Sequence, residues 1–262
     1  MIKRMATVAI LLLYAGFASA DTLSGLDSPP AKAEGSLLEG TSEGSLSEDR
    51  AATELKKLLG PLTSVSAEFN QKLYSVDDYL IQDSSGHMKV SAPGKIRWVL
   101  DSPMEQWLIS DGVTLWLYDP DLEQVVIRPF NPDVAAAPAL LFTGSVSELA
   151  AAFRVREASD VGAVASQVAS QTTGSEFQPD SISDQISSAK YRSFTLTPRN
   201  NQVLYESLRF DFDGNKPRAI TIADALGQST KITFSNVVLN EDIDPGLYLF
   251  DPPPGIDVIR SE

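Results

Sequence analysis

Few residues in this chain could do chemistry. There is one histidine, His87, and no cysteine. A Ser-His-Asp triad would have to use His87, which sits in an alternating stretch with no nucleophile-elbow motif near it. It reads as an ordinary strand histidine. Zinc sites draw on several His or Cys ligands, and no such spacing occurs. The acids Asp77-Asp78 and Asp119/Asp121/Glu123 have the composition of a glycosidase pair, yet they read more simply as turn and surface carboxylates. Asp211-Phe-Asp213-Gly-Asn215 begins like a calcium loop. The glutamate required at its twelfth position is Ile222, so the segment is expected to be a hairpin turn. No phosphate loop or dinucleotide fingerprint appears. The expectation is a protein that is not an enzyme and needs no cofactor or metal.

The elements around these residues say more. Residues 93–129 read PGKIRWVLDSPMEQWLISDGVTLWLYDPDLEQVVIRP. Four apolar runs, KIRWVLD, QWLIS, TLWLYD and EQVVIRP, alternate with the turn signals Ser102-Pro103, Asp111-Gly112 and Asp119-Pro120-Asp121. Asp-Gly marks a hairpin because glycine accepts positive φ without a Cβ clash. Short runs at regular spacing predict an antiparallel meander. The block holds all three tryptophans, Trp98, Trp107 and Trp116. So much apolar surface must be covered or offered to an apolar ligand.

The first twenty residues have the pattern of an export signal. Lys3 and Arg4 form a positive start, Ala6 to Phe17 an apolar run, and Ala18-Ser19-Ala20 a small-residue cleavage site. The run is short for a span, which takes roughly 20 residues, so cleavage near Ala20 is expected. Without cysteine the mature chain can be neither acylated on its own N-terminal cysteine nor disulfide-bonded, which suits a bacterial periplasm. Losing Lys3 and Arg4 makes the formal net charge of −14 more negative by two. Such a surface repels nucleic acid and anionic membrane faces and favours a basic protein partner. Residues 21–49, rich in Ser, Gly, Glu and Leu, read as a flexible acidic linker. The rest is long enough for one sizeable core.

Within it, Ser47 to Leu62 predicts a helix with Ser47 as cap and Ala51, Leu55, Leu58 and Leu59 on one face. Val65 to Tyr74 alternates as a first strand. Asp77 to Leu100 holds two more, with a turn at Ala92-Pro93-Gly94. Ser145 to Phe153 predicts a short helix after an apolar piece containing Pro138, Leu140, Leu141 and Phe142. Residues 157–189 are a low-complexity insertion. Strands resume at 191–197, 203–212, 217–224 and 229–239, and the tail ends extended. About ten antiparallel strands with helices in or across a strongly bent sheet predict an α+β domain over residues 50–262.

The segment IRWVLDSP…LISDGVTLWLYDPDLEQVVIRP resembles the periplasmic outer-membrane lipoprotein carriers of the LolA family. Phe69-Asn-Gln71-Lys72, Phe194-Thr-Leu-Thr-Pro198 and the closing Phe250 with PPPGIDVI agree in order and spacing. The resemblance implies a half-closed antiparallel β-barrel with helices forming a lid over an apolar cavity. It implies a monomeric, non-catalytic carrier that takes acylated lipoproteins from an inner-membrane ATP-driven releasing complex to an outer-membrane receptor. A sensor or lipid-binding module of the same fold is the alternative. By match to the family pattern, Ile96, Trp98, Leu100, Leu108 and Leu117 are expected in the cavity wall, and Pro138, Leu140, Leu141 and Phe142 in the lid. Family members carry a lid-latching arginine where this chain has Ala92; the latch is then missing or supplied by another residue such as Arg97 or Lys95, although alternation turns Arg97 away from Ile96 and Trp98.

Overall fold

A computed structural model describes residues 41–130, 142, 149, 151–158, 191–199 and 205–260. Helix α1 spans Thr41–Leu59. Its apolar stripe brings Ala51, Leu55 and Leu59 into the core, and Lys56 and Lys57 in the last turn complement the carbonyl end of the helix dipole. Gly60 ends it: its amide bonds the Lys56 carbonyl at 2.8 Å, and a Cβ there would lie 2.7 Å from that oxygen. The helix starts earlier than expected, inside the stretch read as linker, so Ser47 lies within it and does not cap it. Local composition underweights this extension, because a packed stripe lets a helix propagate back through a marginal segment.

Among the described residues, twelve strands form one open, curved sheet. They are β1 (Ser64–Tyr74), β2 (Leu80–Ser91), β3 (Lys95–Ser102), β4 (Gln106–Asp111), β5 (Thr114–Asp119), β6 (Gln124–Pro129), β7 (Phe153–Ala158), β8 (Tyr191–Pro198), β9 (Tyr205–Asp213), β10 (Lys216–Asp224), β11 (Ser229–Leu239) and β12 (Asp257–Arg260). The order is β12-β6-β5-β4-β3-β2-β1-β11-β10-β9-β8-β7. Two antiparallel meanders, β2 to β6 and β7 to β11, are thus joined through β1, where Val65 pairs with Leu239 at one end and Tyr74 with Ser229 at the other. The four runs read from residues 93–129 are β3 to β6, and the predicted Asp213-Gly-Asn turn joins β9 to β10.

Two strands escaped the sequence reading. β12 is four exposed residues paired in parallel with β6. β7 begins at Phe153, the residue expected to end a helix; only Leu149, Ala151 and Ala152 of that helix lie among the described residues, and they are helical. Phe153 and Val155 are buried while Arg154 and Arg156 point out, an alternation that was legible. The insertion beyond Ala158 lies outside the described residues.

The curvature is visible in ring distances. Trp98 on β3 and Phe234 on β11 are three strand steps apart, about 14 Å in a flat sheet. Their ring centroids are 6.4 Å apart. The concave side carries the main core, from α1 across to Phe194, Phe210 and Phe212 on β8 and β9. Its two edges, β12 and β7, are not paired with each other.

Candidate functional site

The strand registers put the expected wall residues in one line. Met88 on β2 faces Trp98 on β3, Trp98 faces Leu108 on β4, Leu108 faces Leu117 on β5, and Leu117 faces Val126 on β6. This is an apolar ladder running perpendicular to five strands. Ile96 and Leu100 flank Trp98 two residues away on the same face of β3. All five predicted wall residues are at most 6% exposed. Their burial follows from the alternation of β3 and from the neighbours folded over them by the curved sheet.

Residues not assigned to the wall in the sequence complete the face. Phe69 on β1 reaches over Gly86 on β2 to the Trp98 indole. Phe142, expected in the lid, packs on Phe210 of β9 at 5.3 Å and Phe234 of β11 at 5.7 Å between centroids. Met88, Phe69, Phe210 and Phe234 share the concave face by strand alternation, so the signal was present. What could not be read was that curvature brings β9 and β11 to the same space as β3. Pro138, Leu140 and Leu141 lie outside the described residues.

The other face is a separate structure. Val99, Trp107, Tyr118 and Val125 form a second ladder there, and residues 240–260 run across it. The Phe250 ring lies 6.1 Å from Trp107 and 5.1 Å from Tyr118. Tyr248 in the 3₁₀ turn Pro245–Tyr248 is buried, its hydroxyl 2.7 Å from the Ser91 hydroxyl oxygen. Of the three tryptophans, only Trp98 faces the concave side.

Arg97, the candidate latch for the lid, is on this second face. Its Nη1 donates to the Leu247 carbonyl at 3.3 Å, and the guanidinium sits 4.7 Å over the Trp107 ring. Burial pushes its pKa down. Its contacts there are with the tail, and most of the lid segment it was expected to latch lies outside the described residues. Ala92 is exposed at the β2–β3 turn, its amide bonded to the Thr63 carbonyl.

His87 and Asp119, two of the groups screened for catalysis, are engaged as surface and turn residues. His87 Nδ1 lies 3.0 Å from Asp101 Oδ2, both side chains about half exposed. Asp119 accepts from Gln106 Nε2 and from the Leu122 amide. Buried Asp224 accepts the Leu226 and Gln228 amides, closing the β10–β11 turn. Among the described residues the ladder and its flanks present mostly apolar side chains, suited to hydrocarbon with little directional bonding.

The profile of the family described as "Outer membrane lipoprotein carrier protein LolA" matches residues 61–180 and 170–251. An outer-membrane lipoprotein carrier protein of Chromohalobacter salexigens is 35% identical over 212 residues, spanning 80% of this chain and 87% of that protein. One from Alcanivorax borkumensis is 34% identical over 212 residues, spanning 81% and 88%. A solved structure of a LolA superfamily protein from Nitrosomonas europaea covers 76% of this chain and 98% of its own at 12% identity and a TM-score of 0.41, too loose a likeness to add to the fold described above.

Proposed function

Because this chain belongs to the LolA family of outer-membrane lipoprotein carriers, we propose that its concave face holds the acyl chains of its cargo. The protein is a periplasmic lipoprotein carrier. The observation that carries the site assignment is the apolar ladder through Trp98, Leu108 and Leu117, with Ile96 and Leu100 beside it. At roughly 0.8 kcal/mol per methylene, exposing the about 45 methylenes of about three acyl chains would cost on the order of 35 kcal/mol. Such a cargo crosses water only under cover. Binding it takes apolar walls and a cover that opens, and no bond is made or broken.

In this reading the sheet is a half-closed barrel, and the segment with Pro138, Leu140, Leu141 and Phe142 is its lid. Phe142 sits where hydrocarbon would lie, between Phe210 and Phe234, so loading must displace it. The donor is an inner-membrane ATP-driven releasing complex and the acceptor an outer-membrane receptor. The protein acts as a monomer, and residues 1–20 are removed on export. Acylated protein or lipid found by mass spectrometry on protein purified from periplasm supports the reading. Depletion should strand outer-membrane lipoproteins at the inner membrane. Normal lipoprotein sorting after depletion would falsify it.

A further inference from the structure

The β1–β2 hairpin overhangs the rest of its meander. β2 starts at Leu80, but its pairing with β3 starts only at Ser85 opposite Ser102. Residues 80–84, about 17 Å of strand, therefore have β1 on one side and, among the described residues, no strand on the other. The overhang is not a frayed end. β1 pairs with β2 and β11 out to Tyr74, and β11 continues the pairing onto β10. The tip is ordered by bonds from the Ser75 amide to the Tyr79 carbonyl and from the Asp78 amide to the Ser75 carbonyl. It also leans on the β10–β11 turn, where a Cβ on Gly227 would lie 3.0 Å from Val76 Cγ2.

Natural sheets blunt free edges with lysine, proline or a covering element. This edge, residues 80–84, carries neither lysine nor proline, two of the usual protections. Leu80 and Ile81 are 51% and 49% exposed, and Val76, Tyr79 and Leu226 beside them are exposed by 68% or more. The charge nearby is mostly negative. Asp77 and Asp78 are exposed and make no ion pair among the described residues, while Asp83 meets Lys72 at 3.5 Å. A second copy would bring the same carboxylates together, and an anionic membrane would face them as well.

We propose that residues 80–84 with Val76, Tyr79 and Leu226 form a docking edge for an extended, basic and apolar segment of a partner protein. The segment adds a strand beside β2, its main chain pairing with the open edge and its apolar side chains covering Leu80 and Ile81. Its lysines or arginines meet Asp77 and Asp78, which steer the encounter. This rests on the carrier reading above.

The test places a photo-crosslinking benzophenone residue at Ile81 of the full chain in its own periplasm and sequences the crosslinked peptides. The expected product is a net-basic segment of another protein, with a yield that falls about tenfold in the double charge reversal Asp77→Lys, Asp78→Lys. A synthetic peptide of that segment should slow amide hydrogen exchange at residues 80–84. The proposal is overturned by no product, by capture of phospholipid, cargo or a second copy, by a product indifferent to the charge reversal, or by unchanged exchange at 80–84. Lipoprotein co-purified from the same cells keeps the two failures apart. Its absence strikes the carrier reading, while its presence without a basic crosslink strikes the docking edge alone.

Discussion

The Phe69 ring lies across Gly86 and meets the Trp98 indole two strands away, with centroids 4.2 Å apart and planes tilted by 31°. Gly86 makes this possible by having no side chain. A Cβ at that position would lie 2.0 Å from the Val99 carbonyl oxygen and 2.7 Å from Phe69 Cζ.

Gly86→Ala should therefore be among the most damaging small substitutions in the sheet. The obstacle at Val99 is backbone, which cannot rotate away. The expected loss is roughly 3 kcal/mol or more, read from urea unfolding. A stability within about 0.5 kcal/mol of the parent, the range of an ordinary surface change, would show that the ring and strand are not locked together.

Trp98 is the one tryptophan on the concave face and so should report cargo. In a Trp107→Phe, Trp116→Phe background its emission should shift to the blue or be quenched as a triacylated lipopeptide is titrated in. An emission spectrum that ignores saturating lipopeptide would remove Trp98 from the wall. Trp98→Ala should cost about 3–5 kcal/mol of stability, so the emission experiment is the cleaner test of binding.

The tail is held on the outer face by Arg97 and Tyr248, and each makes a separable contribution. Arg97→Ala should speed hydrogen exchange across residues 240–260, and Arg97→Lys should restore it only in part, because an ammonium lacks the planar group that stacks on Trp107. Tyr248→Phe should cost about 1 kcal/mol for the lost Ser91 bond. Burial raises the Tyr248 pKa above 10.0. The stability it contributes is therefore present below pH 10 and lost as pH rises through the folded value. Tyr248→Phe should remove that alkaline loss, and an unchanged alkaline limb would count against it.

Helix α1 is tied to β7 and β8 by ions as well as by its apolar stripe. Arg192 Nη2 is 3.1 Å from Glu54 and its Nε 2.8 Å from Glu157, while Lys57 is 2.6 Å from Glu54. The Lys57 hydrogen bond first, then Arg192, hold the Glu54 pKa below 4.5. A depressed carboxylate stabilises above its unfolded pKa, and that contribution fades as pH falls through the lower folded value. Denaturation midpoints measured down the acid range should show a shallower decline in Glu54→Gln. High salt should narrow the difference, since these groups are partly exposed.

Much of this could be read along the chain. The periods of residues 93–129 placed four strands and three turns, because alternation and Asp-Gly chemistry are local. The same alternation separated Ile96, Trp98 and Leu100 from Arg97 and Val99. His87, Asp119 and Asp224 each have a local structural task in the fold. The start of α1, strand β7 and the short β12 were missed because their stability comes from neighbours far away in sequence.

Sequence alone determined the composition of each strand face and therefore which side chains shared a wall. Tertiary structure decided what those faces met. Pairing Val65 with Leu239 joins the two meanders, and strong curvature then carries Phe234 to within 6.4 Å of Trp98. It also decided that the tail covers Trp107, that Arg97 serves the tail, and that β2 outruns β3 to leave an open edge. The physical reason is that alternation is a property of one strand. Register, curvature and overhang arise only between strands, where backbone pairing and apolar burial are optimised over the whole sheet.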